Sequence, residues 1–152
     1  MPQLLLKNIR QLVTVNAQGK KEKTGTGMRD LGVIENGAVL IEDGTIRWVG
    51  ATQAFNQPLS SNADTFDASD LVALPGFVDA HTHLLFAGSR EHEFALRAEG
   101  VDYQQIATQG GGILHTVATT RSATKKDLKK VAAKRLDAMM KHGTTTAEIK
   151  SG

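Results

Sequence analysis

Two histidines separated by a single residue carry the clearest chemistry in this sequence. His81 and His83 end an apolar stretch, and residues two apart in an extended strand project to one face, so both imidazoles share a face with Asp79. Neutral imidazole is a frequent ligand for zinc and iron, and this spacing lets both rings reach one cation. A bare His-x-His motif, however, more often marks two histidines hydrogen-bonded into a sheet.

The residues before the histidines favour the metal site. Pro75 and Gly76 make a sharp entry into the strand, and Phe77 and Val78 form a short apolar run that leads to the histidines. Strands of a parallel barrel deliver ligands at their C-terminal ends. We therefore predict a buried strand that carries half of a metal site, in which Asp79 orients a ligand imidazole or lies as a polar residue of the core.

Several motifs resemble the amidohydrolase superfamily and, within it, the imidazolonepropionase family. Residues 75–83 are similar to the first barrel strand of the superfamily. The resemblance to the narrower family rests on LLFAGSRE at 84–91, Tyr103, IATQGGGI at 106–113 and GTTTAEIKSG at 143–152, in that order. It implies an α/β fold, namely a metal-dependent (β/α)8 barrel preceded by N-terminal strands of a small β-sandwich.

The same resemblance implies roles for individual residues. His81 and His83 are expected to bind one metal ion, zinc or iron, which activates water to open imidazolone-5-propionate to N-formimino-L-glutamate in histidine degradation. Arg90 is expected to hold the propionate, for which its planar guanidinium is suited, and Tyr103 to supply a hydroxyl to the same small-molecule substrate. The catalytic general base is expected in sequence outside these 152 residues.

Length limits what the chain is expected to do alone. A (β/α)8 barrel takes about 250 residues, and the chain has 152. We expect residues 1–70 to form the N-terminal part of the sandwich domain, and 71–152 the first two βα units of an incomplete barrel. The family usually continues with a tyrosine after Gly152, and its later histidine and aspartate ligands are not in this sequence. The chain alone is therefore predicted to be inactive.

Composition narrows the possible partners. The absence of cysteine leaves nitrogen and oxygen as metal ligands, and 18 basic against 16 acidic residues, without interleaved aromatic residues, argue against nucleic-acid binding. The N-terminal apolar run is too short for a signal peptide or membrane span, which predicts a cytoplasmic protein without membrane contact. Homodimerisation of the full-length protein is left open.

Hydrophobic patterning predicts the elements that position these residues. Asp43 and Gly44 are typical of a two-residue hairpin turn, and apolar spacing predicts a helix over 125–141 with a cap formed by Thr124 and Asp127. Strands are also expected at 4–15 and 144–150, a surface loop at 18–30, a linker at 58–70, partly helical structure at 89–100 and a short helix at 103–109.

Some polar residues and two other functions stay open. Glu148 and Lys150 share a strand face as an ion pair near the site or as barrel-wall packing, whereas His92 and His115 are expected at the surface. Gly110, Gly111 and Gly112 fit a ligand approach and a helix stop equally. The functional alternatives are a related aminohydrolase such as a guanine or cytosine deaminase, and a non-catalytic module that assembles through exposed sheet edges.

Overall fold

The computed structural model describes residues 2–150, which form seven strands, four α-helices and two short 3-10 turns. The chain divides into two compact units between Pro75 and Gly76. This division lies a few residues after the boundary expected near Leu71, because Val72 and Ala73 still pair with the first strand.

The first unit is a five-stranded sheet built around its first strand. Within that sheet, β2 lies antiparallel to both β1 and β3, whereas β4 and β5 run parallel to β1 along its other edge. No second sheet forms in residues 2–75. The strands are β1 (Gln3–Val13), β2 (Val33–Glu42), β3 (Thr45–Ala51), β4 (Asp64–Asp67) and β5 (Val72–Ala73).

The predicted hairpin is confirmed between β2 and β3. Asp43 and Gly44 both adopt positive φ, at 49° and 74°, which is the geometry that a tight two-residue connection needs to match the twist of its strands. The predicted surface loop contains a 3-10 turn at Gly25–Arg29, and its two flanks are irregular.

Apolar side chains are buried on both faces of this sheet. Neighbouring residues of one strand alternate between faces, and Val39 and Leu40 accordingly belong to different clusters. Ile9, fully buried, lies in the cluster of Val39 together with Leu12 and Ala68, whereas Leu5 and Ala38 join Leu40.

A bulge in β1 brings two polar side chains together. The register with β2 shifts between Leu6 and Ile9, and Asn8 there has a φ of 57°. The Asn8 amide donates a 2.8 Å hydrogen bond to the carboxylate of Asp67, which also accepts from the Ser69 backbone N–H. Donation by Asn8, followed by that from Ser69, holds the pKa of Asp67 below its usual value.

The second unit has two parallel strands joined by a helical crossover. The strands are β6 (Phe77–Thr82) and β7 (Thr144–Ile149). Between them lie α1 (Glu91–Ala98), α2 (Tyr103–Thr108), α3 (Gly112–Ser122) and α4 (Lys125–Lys141). The sequence did not predict α3, because it begins on a glycine and is rich in β-branched residues, which favour helices weakly.

The predicted cap of α4 is confirmed. Thr124 Oγ1 accepts from the Asp127 backbone N–H at 3.1 Å and donates to the Asp127 carboxylate at 2.6 Å. At the other end, the His142 ring lies 2.7 Å from the carbonyl oxygen of Ala138, which also accepts the backbone N–H of His142.

The prediction that β6 is a buried strand is wrong for this chain. Phe77 is 53% exposed and Val78 is 69% exposed. The physical reason is that side chains on a strand are buried by elements packed over its faces, and within residues 2–150 the one element with extensive contacts to β6 is β7, which lies beside it. None of the helices in the described part of the chain is long and apolar enough to span a membrane.

Candidate metal and anion site

The imidazoles of His81 and His83 converge at the C-terminal end of β6. His81 lies in the strand and His83 directly follows it. Their Nε2 atoms are 3.4 Å apart and both side chains are exposed. The alternation predicted from the sequence therefore brings the two rings to one place.

This separation fits two ligands of a single cation. Zinc lies about 2.0–2.1 Å from imidazole nitrogen, so two tetrahedral ligands have nitrogens about 3.4 Å apart. The two Nε2 atoms meet that requirement without movement of the backbone. Within residues 2–150, however, no group of three or more His, Cys, Asp or Glu side chains is placed to hold a metal ion. The described residues thus fit half of a metal site.

Asp79 takes a different partner from the one expected. Its Oδ1 accepts a 3.0 Å hydrogen bond from the backbone N–H of His81. The expectation that Asp79 orients a ligand imidazole is therefore not met in this structure, because a carboxylate two residues earlier folds back onto the chain in a local turn. Asp79 instead orders the backbone that carries His81.

A cavity of about 620 Å³ opens beside His83. Its walls combine an apolar surface with several cations, and no carboxylate lines it among the residues described. A cavity of this size suits a small molecule. The lining residues are His83, Leu85, Phe86, Ser89, Arg90, Ile113, Thr116, Val117, Thr120, Arg121 and Lys150.

The three cations of the cavity are balanced to different degrees. Arg90 is half-buried and lies 3.6 Å from a carboxylate oxygen of Glu93. Lys150 forms an ion pair with Glu148. Of the two interpretations of these residues, this contact favours an ion pair near the site over barrel-wall packing. For Arg121, no acidic partner lies within 4 Å in the described part of the chain. The cavity therefore favours an anionic ligand.

Arg135 of α4 anchors the loop that follows His83. Its Nη1 donates to the carbonyl oxygens of Leu84 and Phe86 at 2.7 and 2.8 Å, and its guanidinium lies 3.5 Å from the centre of the Phe86 ring. Burial lowers the pKa of Arg135 from its usual value, although a guanidinium stays charged in proteins. In the same loop, the Ala87 N–H donates to Thr120 Oγ1 at 3.1 Å.

Tyr103 lies apart from the cavity wall. It is the first residue of α2, is 53% exposed and does not line the cavity. The Tyr103 hydroxyl instead faces Gly112, which has a φ of +68°. A Cβ added at Gly112 would lie 3.0 Å from the hydroxyl oxygen. Of the two predicted substrate ligands, the structure brings Arg90 to the cavity beside His83, whereas Tyr103 lies against Gly112 at the start of α3.

Sequence reasoning missed three charged residues near the site. Glu93 stands three residues after Arg90, a spacing that places the two on one helix face and was a usable signal. Arg121 and Arg135 had no local signal, because Arg135 reaches a loop about 50 residues earlier in the chain. His92 and His115 contact each other with ring centres 6.5 Å apart and do not line the cavity.

The chain is similar in sequence to curated imidazolonepropionases. The enzyme of that name from Shouchella clausii is 42% identical over 152 residues, which cover 98% of this chain and 34% of the relative. Further relatives of the same name are 41–46% identical. By sequence, this chain belongs to the imidazolonepropionase family. It spans about a third of the length of the curated relatives it matches.

Solved structures place the imidazolonepropionase-like chain among amidohydrolases by fold. A triazine hydrolase from Arthobacter aurescens has a TM-score of 0.63 and 20% identity, over 95% of this chain and 28% of that one. An amidohydrolase has a TM-score of 0.52 and 19% identity, over 95% and 24%. No protein-family model matches the chain. The α/β class predicted from the sequence agrees with these neighbours.

Proposed function

We propose that this chain supplies the first metal ligands and a substrate carboxylate site of a hydrolase that converts imidazolone-5-propionate to N-formimino-L-glutamate. The observation that carries the proposal is the similarity to imidazolonepropionases across 98% of the chain. The convergence of two imidazoles beside a cationic cavity agrees with it. The remaining ligands and the general base belong to the rest of such an enzyme.

His81 and His83 are the residues that hold the metal in this proposal. Their Nε2 atoms converge at the end of β6, and zinc and iron both accept neutral imidazole as a ligand. A cation bound there supplies Lewis-acid chemistry, which acidifies water and polarises a carbonyl group. The role of the two histidines is to direct both nitrogen lone pairs to one point, and Asp79 orders the backbone at His81 through its hydrogen bond to that N–H.

Arg90 binds the substrate carboxylate in the proposed function. It lies on the same cavity as His83, and its planar guanidinium can donate two parallel hydrogen bonds to a carboxylate. The apolar wall formed by Phe86, Ile113 and Val117 accommodates the methylene carbons and excludes water from them. A small anion with a short apolar part therefore matches both sides of the cavity.

The chain by itself is proposed to be inactive. Two imidazoles make up the metal site within residues 2–150, whereas catalytic zinc sites use three protein ligands. We expect weak zinc binding and no measurable turnover of imidazolone-5-propionate by the purified chain. Repeated turnover by the chain alone would contradict this part of the proposal.

A chimeric enzyme tests the function directly. The matching segment of the Shouchella clausii imidazolonepropionase is replaced by this chain, and hydrolysis of imidazolone-5-propionate is measured. We expect the chimera to be active and both His81→Ala and His83→Ala to lower its kcat by at least 100-fold, which is the cost expected for losing about 2.7 kcal/mol of transition-state stabilisation. His142→Ala is the matched control, because that ring is exposed and its hydrogen bond is to Ala138 of its own helix.

Zinc affinity of the purified chain gives a second test. Calorimetric titration is expected to show one weak site that either histidine substitution removes and His142→Ala retains. A folded chimera without activity, together with a chain that binds zinc equally in all variants, would reject the proposed function in favour of a non-catalytic module.

A further inference from the structure

We infer that Glu93 is a positioning residue that orients Arg90 toward the cavity and ties it to the start of α3. The inference rests on the proposed function, because it assigns Glu93 a purpose in carboxylate binding by Arg90. It adds a residue to which the sequence motifs assign no role.

Glu93 is the buried charged residue of the described chain, with 7% of its surface exposed. Its Oε1 accepts a 2.7 Å hydrogen bond from the backbone N–H of Gly112, the first residue of α3. Its Oε2 lies 3.6 Å from Nη1 of Arg90. Burying a carboxylate costs free energy unless it is paired, and each oxygen of Glu93 has such a partner.

The absence of a side chain at Gly111 leaves room for the Glu93 carboxylate. A Cβ on Gly111 would lie 2.9 Å from Glu93 Oε1 and 2.7 Å from Cγ2 of Ile106, closer than real Cβ contacts allow. A side chain at that position would therefore displace Glu93 or Ile106. The close approach of the Gly111 backbone to Glu93 explains why this residue is glycine. It does so more directly than a ligand contact or a helix stop.

The geometry leaves Arg90 free to bind a ligand. A guanidinium has five N–H donors in a rigid plane, and Glu93 faces it through Nη1 alone. Arg90 therefore lies against the buried Glu93 while it still lines the cavity. Restricting the rotamers of a long side chain before binding lowers the entropy lost on ligand capture. Glu93 would thus strengthen carboxylate binding without touching the ligand.

The test uses the full chain with propionate as the carboxylate probe. Variants are Glu93→Gln, Glu93→Asp, Arg90→Lys and the double variant Arg90→Lys with Glu93→Gln. Glutamine keeps the volume and the acceptor for Gly112, so only the charge facing Arg90 is removed. Glu91→Gln is the matched control, because it neutralises an exposed carboxylate in the same helical turn. The pKa of Glu91 is lowered mainly by a hydrogen bond from Ser89.

Two measurements separate positioning from general stability. Hydrogen exchange at Arg90 Nε–H, assigned by its loss in Arg90→Lys, reports the side chain without ligand, and propionate affinity is measured by NMR titration. We expect Glu93→Gln to speed exchange and weaken propionate binding about 5- to 10-fold, a coupling typical of contacting residues. We expect Glu93→Asp to be intermediate and Glu91→Gln unchanged. In the Arg90→Lys background, Glu93→Gln should have no further effect.

The opposite outcomes overturn the inference. A Glu93→Gln chain that matches Glu91→Gln in both measurements would show that Glu93 does not restrain Arg90. Equal weakening in the Arg90→Lys background would show that Glu93 acts by another route. If wild type binds no propionate, the carboxylate role of Arg90 in the proposed function fails, and Arg90 exchange in Glu93→Gln and Glu93→Asp still decides whether Glu93 positions it.

Discussion

The two units bury their side chains in different ways. The β unit encloses Ile9, Leu12 and Val39 in its sheet, whereas in the second unit Phe77, Val78 and Phe94 are 53%, 69% and 80% exposed. The second unit instead relies on polar anchors, in which Arg135 and Glu93 each join segments distant in sequence. Both clusters of buried apolar residues therefore lie in the unit without the candidate site, whereas the unit that carries it combines single buried residues, such as Leu84 and Ile106, with charged contacts.

The largest expected effect tests the apolar side of this comparison. Ile9→Ala removes a fully buried side chain, and such a truncation costs about 2–5 kcal/mol because a cavity remains. Val78→Ala is the matched change in the second unit, and at 69% exposure it should cost less than about 0.5 kcal/mol. Urea unfolding followed by fluorescence of Trp48, the one tryptophan, reports the β unit, and far-ultraviolet circular dichroism follows the four α-helices, which lie in the second unit. Similar costs for the two variants would remove the distinction.

A smaller effect tests the polar side. Arg135→Met keeps the apolar stem of the side chain and removes both donations to the loop after His83, which should cost about 1.5–3 kcal/mol because two carbonyls lose a charged partner. Lys134→Met is the control, since Lys134 is the exposed neighbour. Hydrogen exchange at the Ala87 amide, which bonds Thr120 in that loop, is expected to quicken in Arg135→Met alone. Unchanged protection would mean that Arg135 does not hold the loop.

The smallest effect is a pH dependence in the β unit. Hydrogen bonds from Asn8 and then Ser69 lower the pKa of Asp67, so the carboxylate stabilises the fold above its unfolded pKa, and that contribution disappears as the pH falls through the folded value. Asn8→Gly retains the positive φ and should raise the pKa of Asp67, measured by NMR titration of its carboxyl carbon. Asn16→Gly is the control, and an identical Asp67 titration in both variants would contradict the assignment.

Local patterns were sufficient for most elements. The Asp43–Gly44 turn and the capped helix α4 were predicted within their observed bounds, because turn residues with positive φ and a 3.6-residue apolar period act over a few neighbouring positions. Helix α3 was missed since its glycine start and β-branched residues oppose helix formation locally. Two hydrogen bonds join α3 to the rest of the second unit. One runs from the N–H of Gly112 to Glu93, and the other from the N–H of Ala87 to Thr120.

In the candidate site, too, some features follow from local sequence patterns and others from tertiary contacts. The sequence by itself determined that His81 and His83 share a strand face, because side-chain alternation is a property of the extended backbone, and their family motifs placed Arg90 near them. Only the tertiary structure decided that Glu93 is buried against the backbone N–H of Gly112 and that Arg135 holds the loop after His83. Such contacts depend on the packing of separate helices and loops, which no local pattern encodes.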